Sequence, residues 1–553
     1  MTYIQLAEMI FPNVTKTAAD WLAAYPPRPL PPGTPVVRIP PSPTGYLHIG
    51  VLFAATVNRL TADKNAGVFY MRLEDTDQKR EMEGGAEDIV NGFIYYGVAP
   101  DEGYFSFDDQ RGAYGPYRQR DRAEIYHAFA KWMVQRNLAY PCFCSAETLE
   151  KVREKQRENK QTPGYHGEFA ICRALTPEQV EENILAGKPY VIRLRSPGNP
   201  ADSFVYNDLI KGELTLPVND RDEVLLKSDG IPTYHFAHAI DDTLMRTTIV
   251  IRGEEWLSSV PLHHQLFALL GFKKPDYAHF SSLMKEDGGG RRRKLSKRKD
   301  PEVAVHFYKQ QGFPVDSVAE YLMTIINSDF EEWRRQNPAE KRSEFPFALS
   351  KMSISGALFD LVKFNDVSKQ VISGYTARQV LDYLLEWTFE FDADFHALLK
   401  RDESYAASVL SIDRGGDKPR KDIACWNQAK DYMAYFYEEL FTGAGSLPAH
   451  ITAADAAAVA EAYADVYNPK TDKETWFSAM KALCAECGFC AEMKAYKQNP
   501  AGYKGSIADF SAIIRLAVTG RANAPDLHAV LRLLGAQRVQ NRLQSAAKNW
   551  QTS

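Results

Sequence analysis

Apolar and polar positions follow two different rhythms along this 553-residue chain. From Val36 to about Asp101 short apolar runs take turns with helical periods. Val36-Val37-Arg38-Ile39 reads as a strand, Leu52 to Ala62 as an amphipathic helix and Val68 to Asp75 as a second strand. That order is expected of an α/β nucleotide-binding half. Between about Gly115 and Asp222 the pattern changes to a helix over 120–137, a group of cysteines, a highly charged helix and a Pro/Gly turn. Apolar runs return over Glu223–Asp242 and Thr247–Leu257. Residues 300–365 read as helical, and from about Asn365 onward the helical period dominates with no alternating strand pattern of any length. Residues 1–25 read as one or two short helices. A connector rich in proline (Pro26, Pro27, Pro29, Pro31, Pro32, Pro35) closes them, and the segment is expected to dock on the rest of the chain. No internal repeat or low-complexity tract interrupts this order.

Composition narrows the class only a little. A chain of 553 residues should hold several domains rather than one core. Charged residues at 25% and hydrophobic residues at 45% are ordinary for globular protein. A net charge of −5 argues against a generic polyanion binder, although a basic groove can sit on an acidic body. Seven cysteines suit a reducing compartment better than a disulfide scaffold. No run of about 18 apolar residues exists to span a membrane. The opening MTYIQLAEMIF lacks a basic start and carries Glu8, unlike a secretory signal, so the cytoplasm is expected.

Two motifs carry candidate chemistry. Pro41-Ser42-Pro43-Thr44-Gly45-Tyr46-Leu47-His48-Ile49-Gly50 runs from the first strand through a turn into a helix N-terminus. Unpaired first-turn N–H groups and the positive end of the helix dipole make such a place an anion cradle. Much later comes a basic loop, Gly288-Gly289-Gly290-Arg291-Arg292-Arg293-Lys294-Leu295-Ser296-Lys297-Arg298-Lys299. Its glycines read as a hinge, and its cations lose mutual repulsion when they meet a polyphosphate. A solvated basic run is the plain alternative. In this order and at this separation the two blocks resemble the HIGH and KMSKS motifs of class I aminoacyl-tRNA synthetases. With RLEDTD (Arg72 to Asp77), SDGIPTYHFA (Ser228 to Ala237), IRGEEWL (Ile251 to Leu257) and KLSKR, the chain resembles bacterial-type glutamyl-tRNA synthetases. Ser42, Thr44 and Glu74 fall on the glutamyl rather than the glutaminyl side, and Ile513 to Leu543 resembles the C-terminal end of that family.

The resemblance implies an α/β Rossmann-type catalytic domain, an inserted α/β acceptor-binding domain and an α-helical C-terminal anticodon-binding region. Along the chain this gives an extension over 1–33, Rossmann halves over 34–115 and 223–290, and the insert over 116–222. The KMSKS-type loop and stem-contact domain would occupy 291–365, and the anticodon-binding region 366–553. The implied reaction activates L-glutamate with ATP and Mg²⁺ to glutamyl-adenylate and transfers it to the 3′ end of tRNA(Glu); a monomer is expected. His48, Lys294 and Lys297 would be catalytic. Gly45, His48, Gly50, Glu255, Lys294, Ser296, Lys297 and Arg298 would hold ATP. Arg38, Ser42, Glu74, Tyr234, His238 and Arg252 would hold glutamate, the arginines because a planar carboxylate suits a guanidinium. An internal salt bridge at a strand end is the plain alternative for Arg38 and Arg252. Arg291 to Arg293 are candidates for RNA phosphate.

Two positions depart from the family pattern. Val51 follows His-Ile-Gly where a small or polar residue is usual, so backbone amides must serve there. Pro40 replaces a common alanine and removes one N–H. Cys142, Cys144, Tyr165 and Cys172 resemble the zinc element of some bacterial members, but Tyr165 and Cys172 are seven positions apart instead of four. The fourth ligand is thus open between Tyr165 and His166. Cys484, Cys487 and Cys490 read as free thiols in a helical stretch. Two other readings share parts of the pattern. A short enzyme that glutamylates a tRNA base would lack the roughly 190 residues after Asn365, and a silent tRNA-binding descendant would show eroded motifs.

Overall fold

The structure is a computed structural model that describes residues 1–296, 298–416 and 418–552. It divides into two compact units, one of residues 1–307 and 319–360, the other of residues 308–318 and 361–553.

The first unit is built on two sheets. β1 (Val36–Ile39), β2 (Val68–Met71), β3 (Glu102–Tyr104) and β4 (Gln110–Arg111) form one sheet in that order, with β1, β2 and β3 parallel. β5 (Ala139–Cys142), β6 (Val191–Leu194) and β9 (Val224–Leu226) make a small antiparallel sheet, so β9, expected in the second Rossmann half, pairs with strands of the expected insert. β7 (Ser203–Asp208) and β8 (Gly212–Pro217) pair as a hairpin and join the second main sheet, ordered β10 (Ile249–Gly253), β11 (Asp276–Phe280), β7, β8. The two main sheets meet where Thr248 N–H donates to the Val36 carbonyl at 2.9 Å and Val36 N–H donates to Thr248 Oγ1 at 2.7 Å. Val36, Val37 and Ile39 are buried on β1, and Val250 and Ile251 on β10. Such continuous apolar runs suit strands covered on both faces.

The first helix of the α/β half runs over Ile49–Lys64, longer at both ends than its amphipathic pattern marks. Its first turn is recruited by the HIGH-type loop, and its last two residues, Asp63 and Lys64, are exposed and pair with Arg59 and the Ser343 carbonyl. β2 ends at Met71, four residues short of the expected strand. From there the backbone still follows β1, with Arg72 N–H on the Ile39 carbonyl and Glu74 N–H on the Pro41 carbonyl.

The loop glycines form the turn of a hairpin. β12 (Met284–Glu286) and β13 (Arg292–Lys294) pair antiparallel, and Gly290 (φ 75°) closes their turn. Arg293 grips Asp300 with two bonds of 2.6 and 2.7 Å, which commits it to the loop base rather than to RNA.

The second unit is built from helices joined by irregular stretches, the longest over 437–452. Its helices include Ala377–Phe391, Ala453–Val466, Ile507–Thr519 and Leu527–Thr552, the last broken at Gly535. Capping boxes at Thr376/Gln379 and Ser506/Asp509 start two of them, and Gly520 in the left-handed region ends Ile507–Thr519. Leu384, Phe395, Phe436, Ile513, Val530 and Leu543 lie in its core. Cys484 and Cys487 lie at the end of the helix Lys473–Glu486, but Cys490 lies beyond it, on a bridge to Ser506. Among the described residues no helix is long and apolar enough to cross a membrane.

Candidate active site

The parallel strands β1 and β2 deliver their residues at their C-terminal ends, where ligands of open α/β sheets collect. Arg38 is fully buried. Its Nε lies 3.3 Å from Asp242 Oδ2, while Nη1 and Nη2, also buried, meet no protein acceptor. Buried guanidinium nitrogens are costly to leave unsatisfied, and an anion placed against this pair would satisfy them. Asp242 also accepts from Arg72 Nη1 at 2.6 Å and lies 2.8 Å from His238 Nδ1. Burial works against its charge, but Arg38 and Arg72 hold its carboxyl well below the ordinary range. Arg72 Nη2 donates to Glu74 at 3.0 Å. Burial outweighs that bond and pushes the Glu74 carboxyl up to about 7. Asp241 completes the network, taking Arg122 Nε at 2.7 Å, Gln119 at 2.9 Å and Tyr126 at 2.8 Å.

Arg252 stands at the end of β10 in a shell of neutral groups. Its Nε donates to His279 Nε2 at 3.0 Å and its Nη1 to the Tyr234 hydroxyl at 3.1 Å and to His263 Nδ1 at 3.3 Å; Nη2 donates to the Trp256 carbonyl at 3.3 Å. For both imidazoles to accept, each must carry its proton on the other nitrogen. The neighbours fit: His279 Nδ1 donates to Asp208 at 2.6 Å and His263 Nε2 to His235 Nδ1 at 2.9 Å. Burial lowers the pKa of His263 well below its ordinary value and that of His235 to about 4, and it also lowers that of His279. The guanidinium is thereby held in place without a carboxylate among these bonds, and its charge remains for a ligand. Tyr234 stacks with His238 at 5.7 Å, and His238 bonds to the Tyr277 hydroxyl at 2.9 Å. Arg38, Glu74, Tyr234, His238 and Arg252 are thus linked in one network: Asp242 joins Arg38 to His238 and, through Arg72, to Glu74, while Tyr234 joins His238 to Arg252. Ser42 is exposed and follows Pro41, whose carbonyl accepts the Glu74 N–H.

His48 is the N-cap of helix Ile49–Lys64 but makes no side-chain cap bond; its ring lies over Gly50, where a Cβ would come within 3.2 Å of Nδ1. Any side chain at Gly50 would therefore move the imidazole. Leu47 and His48 are tied to the far side of the basic loop by the bridge from His48 to Ala304 and by Val305 N–H on the Leu47 carbonyl at 3.1 Å. Gly45 is half-buried in the same turn. Val51 N–H bonds to the His48 carbonyl at 2.9 Å, so this amide is already used at the helix start. Glu255 folds back over Gly253 and lies 4.0 Å from Lys294 Nζ. Ser296 N–H donates to Asp300 at 2.9 Å, and Arg298 is exposed. Lys297 lies outside the described residues.

The four zinc candidates come together. Cys142 at the end of β5, Cys144 in the following turn and Cys172 in the short helix Ile171–Ala174 place their sulfurs within 4.8 Å of one another. Cys144 and Cys172 are 3.6 Å apart, close to the edge of about 3.8 Å for a tetrahedron with 2.3 Å Zn–S bonds. The Tyr165 hydroxyl is 3.4 Å from Cys142 and 3.2 Å from Cys144, whereas His166 Nε2 is 3.1 Å from the Thr162 carbonyl. The donor set fits a zinc ion, with Tyr165 and not His166 in the fourth place. Hydrogen bonds from Cys172 and Tyr165 favour the thiolate at Cys142.

Sequence reading passed over Arg72, Asp241, Asp242, His263, His279 and Asp208. His238 and Asp242 were accessible to it, since a spacing of four puts them on one helical face. Asp208, His263 and His279 carry no local signal, because separate elements bring them to Arg252.

A family model described as "tRNA synthetases class I (E and Q), catalytic domain" matches residues 35–338, and one described as "Anticodon binding domain" matches residues 427–547. A glutamate–tRNA ligase of Clostridium perfringens strain 13 is 48% identical over 98% of this chain and 100% of its own length. That of Sorangium cellulosum is 41% identical over 95% and 96%. The solved glutamate tRNA ligase of Elizabethkingia meningosepticum, in complex with its amino acid, shares the fold with a TM-score of 0.68 at 24% identity, over 93% of this chain and 99% of that one. The corresponding enzyme of Elizabethkingia anophelis gives a TM-score of 0.73 over 93% and 100%. By sequence over nearly its whole length, by its catalytic and anticodon-binding domains and by its fold, the chain belongs to the glutamate–tRNA ligase family of class I tRNA synthetases.

Proposed function

We propose that this pocket binds L-glutamate, that the cradle and basic loop beside it bind ATP with its Mg²⁺, and that the product glutamyl-adenylate charges the 3′ end of tRNA(Glu). The observation that carries the reading is Arg38, a fully buried guanidinium with two unsatisfied nitrogens, joined through Asp242 to the network that holds Glu74 and Arg252. The reacting α-carboxylate must stay free to attack the α-phosphate, so the two arginines take the side-chain carboxylate instead. Glu74, Ser42 and Tyr234 then receive the ammonium end and fix the substrate's direction. Glutamine would turn an NH₂ donor toward guanidinium donors, and aspartate would fall short by one methylene. His48 and Lys294, with Lys297 by sequence, stabilise charge on the phosphates as pyrophosphate leaves. Glu255 serves the nucleoside.

The insert around 116–222 is read as the acceptor-end domain, and Cys142, Cys144, Cys172 and Tyr165 as the holders of a structural Zn²⁺. For the anticodon loop, a cavity of about 380 Å³ in the helical unit is lined by Arg420 and Arg521, paired with Asp422 and Asp431, together with Gln428, Tyr432 and Asn523, whose polar groups suit base edges. This helical unit, with its anticodon-binding match, argues against a short tRNA-base-modifying enzyme. The intact motifs argue against a silent descendant. A cytoplasmic monomer goes with the reading.

Charging assays with tRNA(Glu) transcript test it. Glutamate should be esterified to the RNA with release of pyrophosphate, glutamine and aspartate should not, and pyrophosphate exchange should need the tRNA. Failure to charge a cognate transcript would overturn the reading.

A pH dependence follows from Glu74. It must be ionised to meet an ammonium group, yet its carboxyl in the free pocket sits near 7. Below that pH, binding must first expel a proton. The KM for glutamate should therefore fall about tenfold per pH unit up to about pH 7 and level off above it. Arg38 and Arg72 keep their charge throughout, and His238, held down to about 3 by burial, stays neutral. A flat KM across this range would contradict the role given to Glu74.

A further inference from the structure

Residues 1–33 precede the segment matched by the catalytic family model. They are nonetheless a built element: helices Tyr3–Ile10 and Ala18–Ala24 each start with a complete capping box, at Thr2/Gln5 and Thr17/Asp20. The first helix is fastened by Lys131, which bonds to Glu8 at 2.7 Å and to the carbonyls of Phe11 and Val14. The proline-rich connector then crosses from one Rossmann half to the other. Arg28 pairs with Glu102, lies 4.0 Å over the ring of Tyr114 and donates to the Met245 carbonyl at 3.1 Å. Tyr114 donates to the Pro26 carbonyl at 3.1 Å, and Arg246 donates to the Tyr25 carbonyl.

Tyr25, at the start of this connector, is 5% exposed. Its hydroxyl donates to the Gly115 carbonyl at 2.8 Å and accepts from Arg122 Nη1 at 3.2 Å. Arg122 is fully buried and passes the contact to Asp241 through Nε. Asp241 lies 3.6 Å from Arg72 Nε and takes Gln119 Nε2, which is also 3.5 Å from Glu74. Around the pocket three guanidiniums (Arg38, Arg72, Arg122) thus face three carboxylates (Glu74, Asp241, Asp242). In a buried network of this kind the position of each charge sets the energy of the others. Arg122 is held by the Pro116 carbonyl at 3.0 Å and by the Tyr25 hydroxyl on the same nitrogen, so loss of the hydroxyl lets it drift from Asp241 and leaves excess negative charge beside Glu74.

We propose that the stretch from Tyr25 to Arg28 is a clamp on the glutamate pocket and that Tyr25 is a positioning residue for Glu74, acting through Arg122 and Asp241. This rests on the role of Glu74 given above.

Tyr25→Phe keeps the ring beside Arg122 and removes only the hydroxyl. In charging assays at saturating ATP and tRNA, it should raise the glutamate KM about fivefold, within the range for residues along a coupled network. It should also move the midpoint of the KM–pH profile upward, because excess negative charge favours protonated Glu74. The KM for ATP and the melting temperature should stay near wild type. Lys131→Met loosens the first helix away from Tyr25 and should leave the glutamate KM unchanged. An unchanged glutamate KM and pH profile in Tyr25→Phe would overturn the proposal, as would an equal rise in the KM for ATP. Failure of the underlying reading shows separately, as a wild-type glutamate KM in Glu74→Gln.

Discussion

Replacing Arg38 by leucine should lower kcat/KM for glutamate by about a thousandfold. The side chain is buried, and two of its nitrogens face the position assigned to the substrate carboxylate. Removing one partner of a buried, hydrogen-bonded charge pair costs about 3–5 kcal/mol, which corresponds to a factor of about 150 to 5,000. The loss reaches beyond the substrate, because Asp242 keeps Arg72 and His238 but loses one of its two guanidiniums. Binding of ATP, measured separately, should change little, since the HIGH-type turn does not use Arg38. Arg38→Lys should not rescue: an ammonium group cannot reach Asp242 and a carboxylate at once in the fork geometry of arginine. A loss of tenfold or less in Arg38→Leu would mean that the pocket reads its substrate through other groups.

The second large effect concerns the cysteine site. Protein prepared without chelator should carry close to one zinc per chain, and Cys172→Ser should lose it. The region around the site has a small core, Tyr140, Cys142, Tyr165, Ala170 and Cys172, three of them candidate ligands. So little apolar surface gives the loop weak independent stability. Zinc binding worth about 10–16 kcal/mol in small peptides would supply much of what holds it. Loss of the metal should make segment 142–175 sensitive to protease and lower charging of tRNA, while the main sheets stay folded on their own buried runs. Tyr165→Phe should weaken zinc binding, whereas His166→Ala should not. Elemental analysis with no zinc would leave these thiols as packing residues.

The parts of this account that were legible in the sequence are those whose signal is local. Arg38 and Arg252 stand in apolar runs that become β1 and β10, and each keeps its place at a strand end. The cradle at His48 and the helical second unit follow from turn chemistry and period alone. The basic loop was less legible. Three glycines followed by cations read as a hinge, but the pairing of β12 with β13 and the hold of Asp300 on Arg293 and Ser296 turn the same residues into an anchored hairpin. The choice between Tyr165 and His166 depended on which side chain the turn after residue 158 directs inward, a tertiary fact with no sequence period. The shell around Arg252 was the least accessible. Asp208, His263 and His279 come from three elements and act as a unit only once β7, β10 and β11 are assembled.

The most direct test of the central claim is a crystal structure of the protein with a non-hydrolysable glutamyl-adenylate analogue. The account predicts the side-chain carboxylate within hydrogen-bond distance of Arg38 Nη1 or Nη2 and of Arg252, the ammonium at Glu74, and the phosphate beside His48 with Lys294 closed toward it. A ligand whose side-chain carboxylate points away from Arg38, or whose ammonium is bound without Glu74, would contradict it.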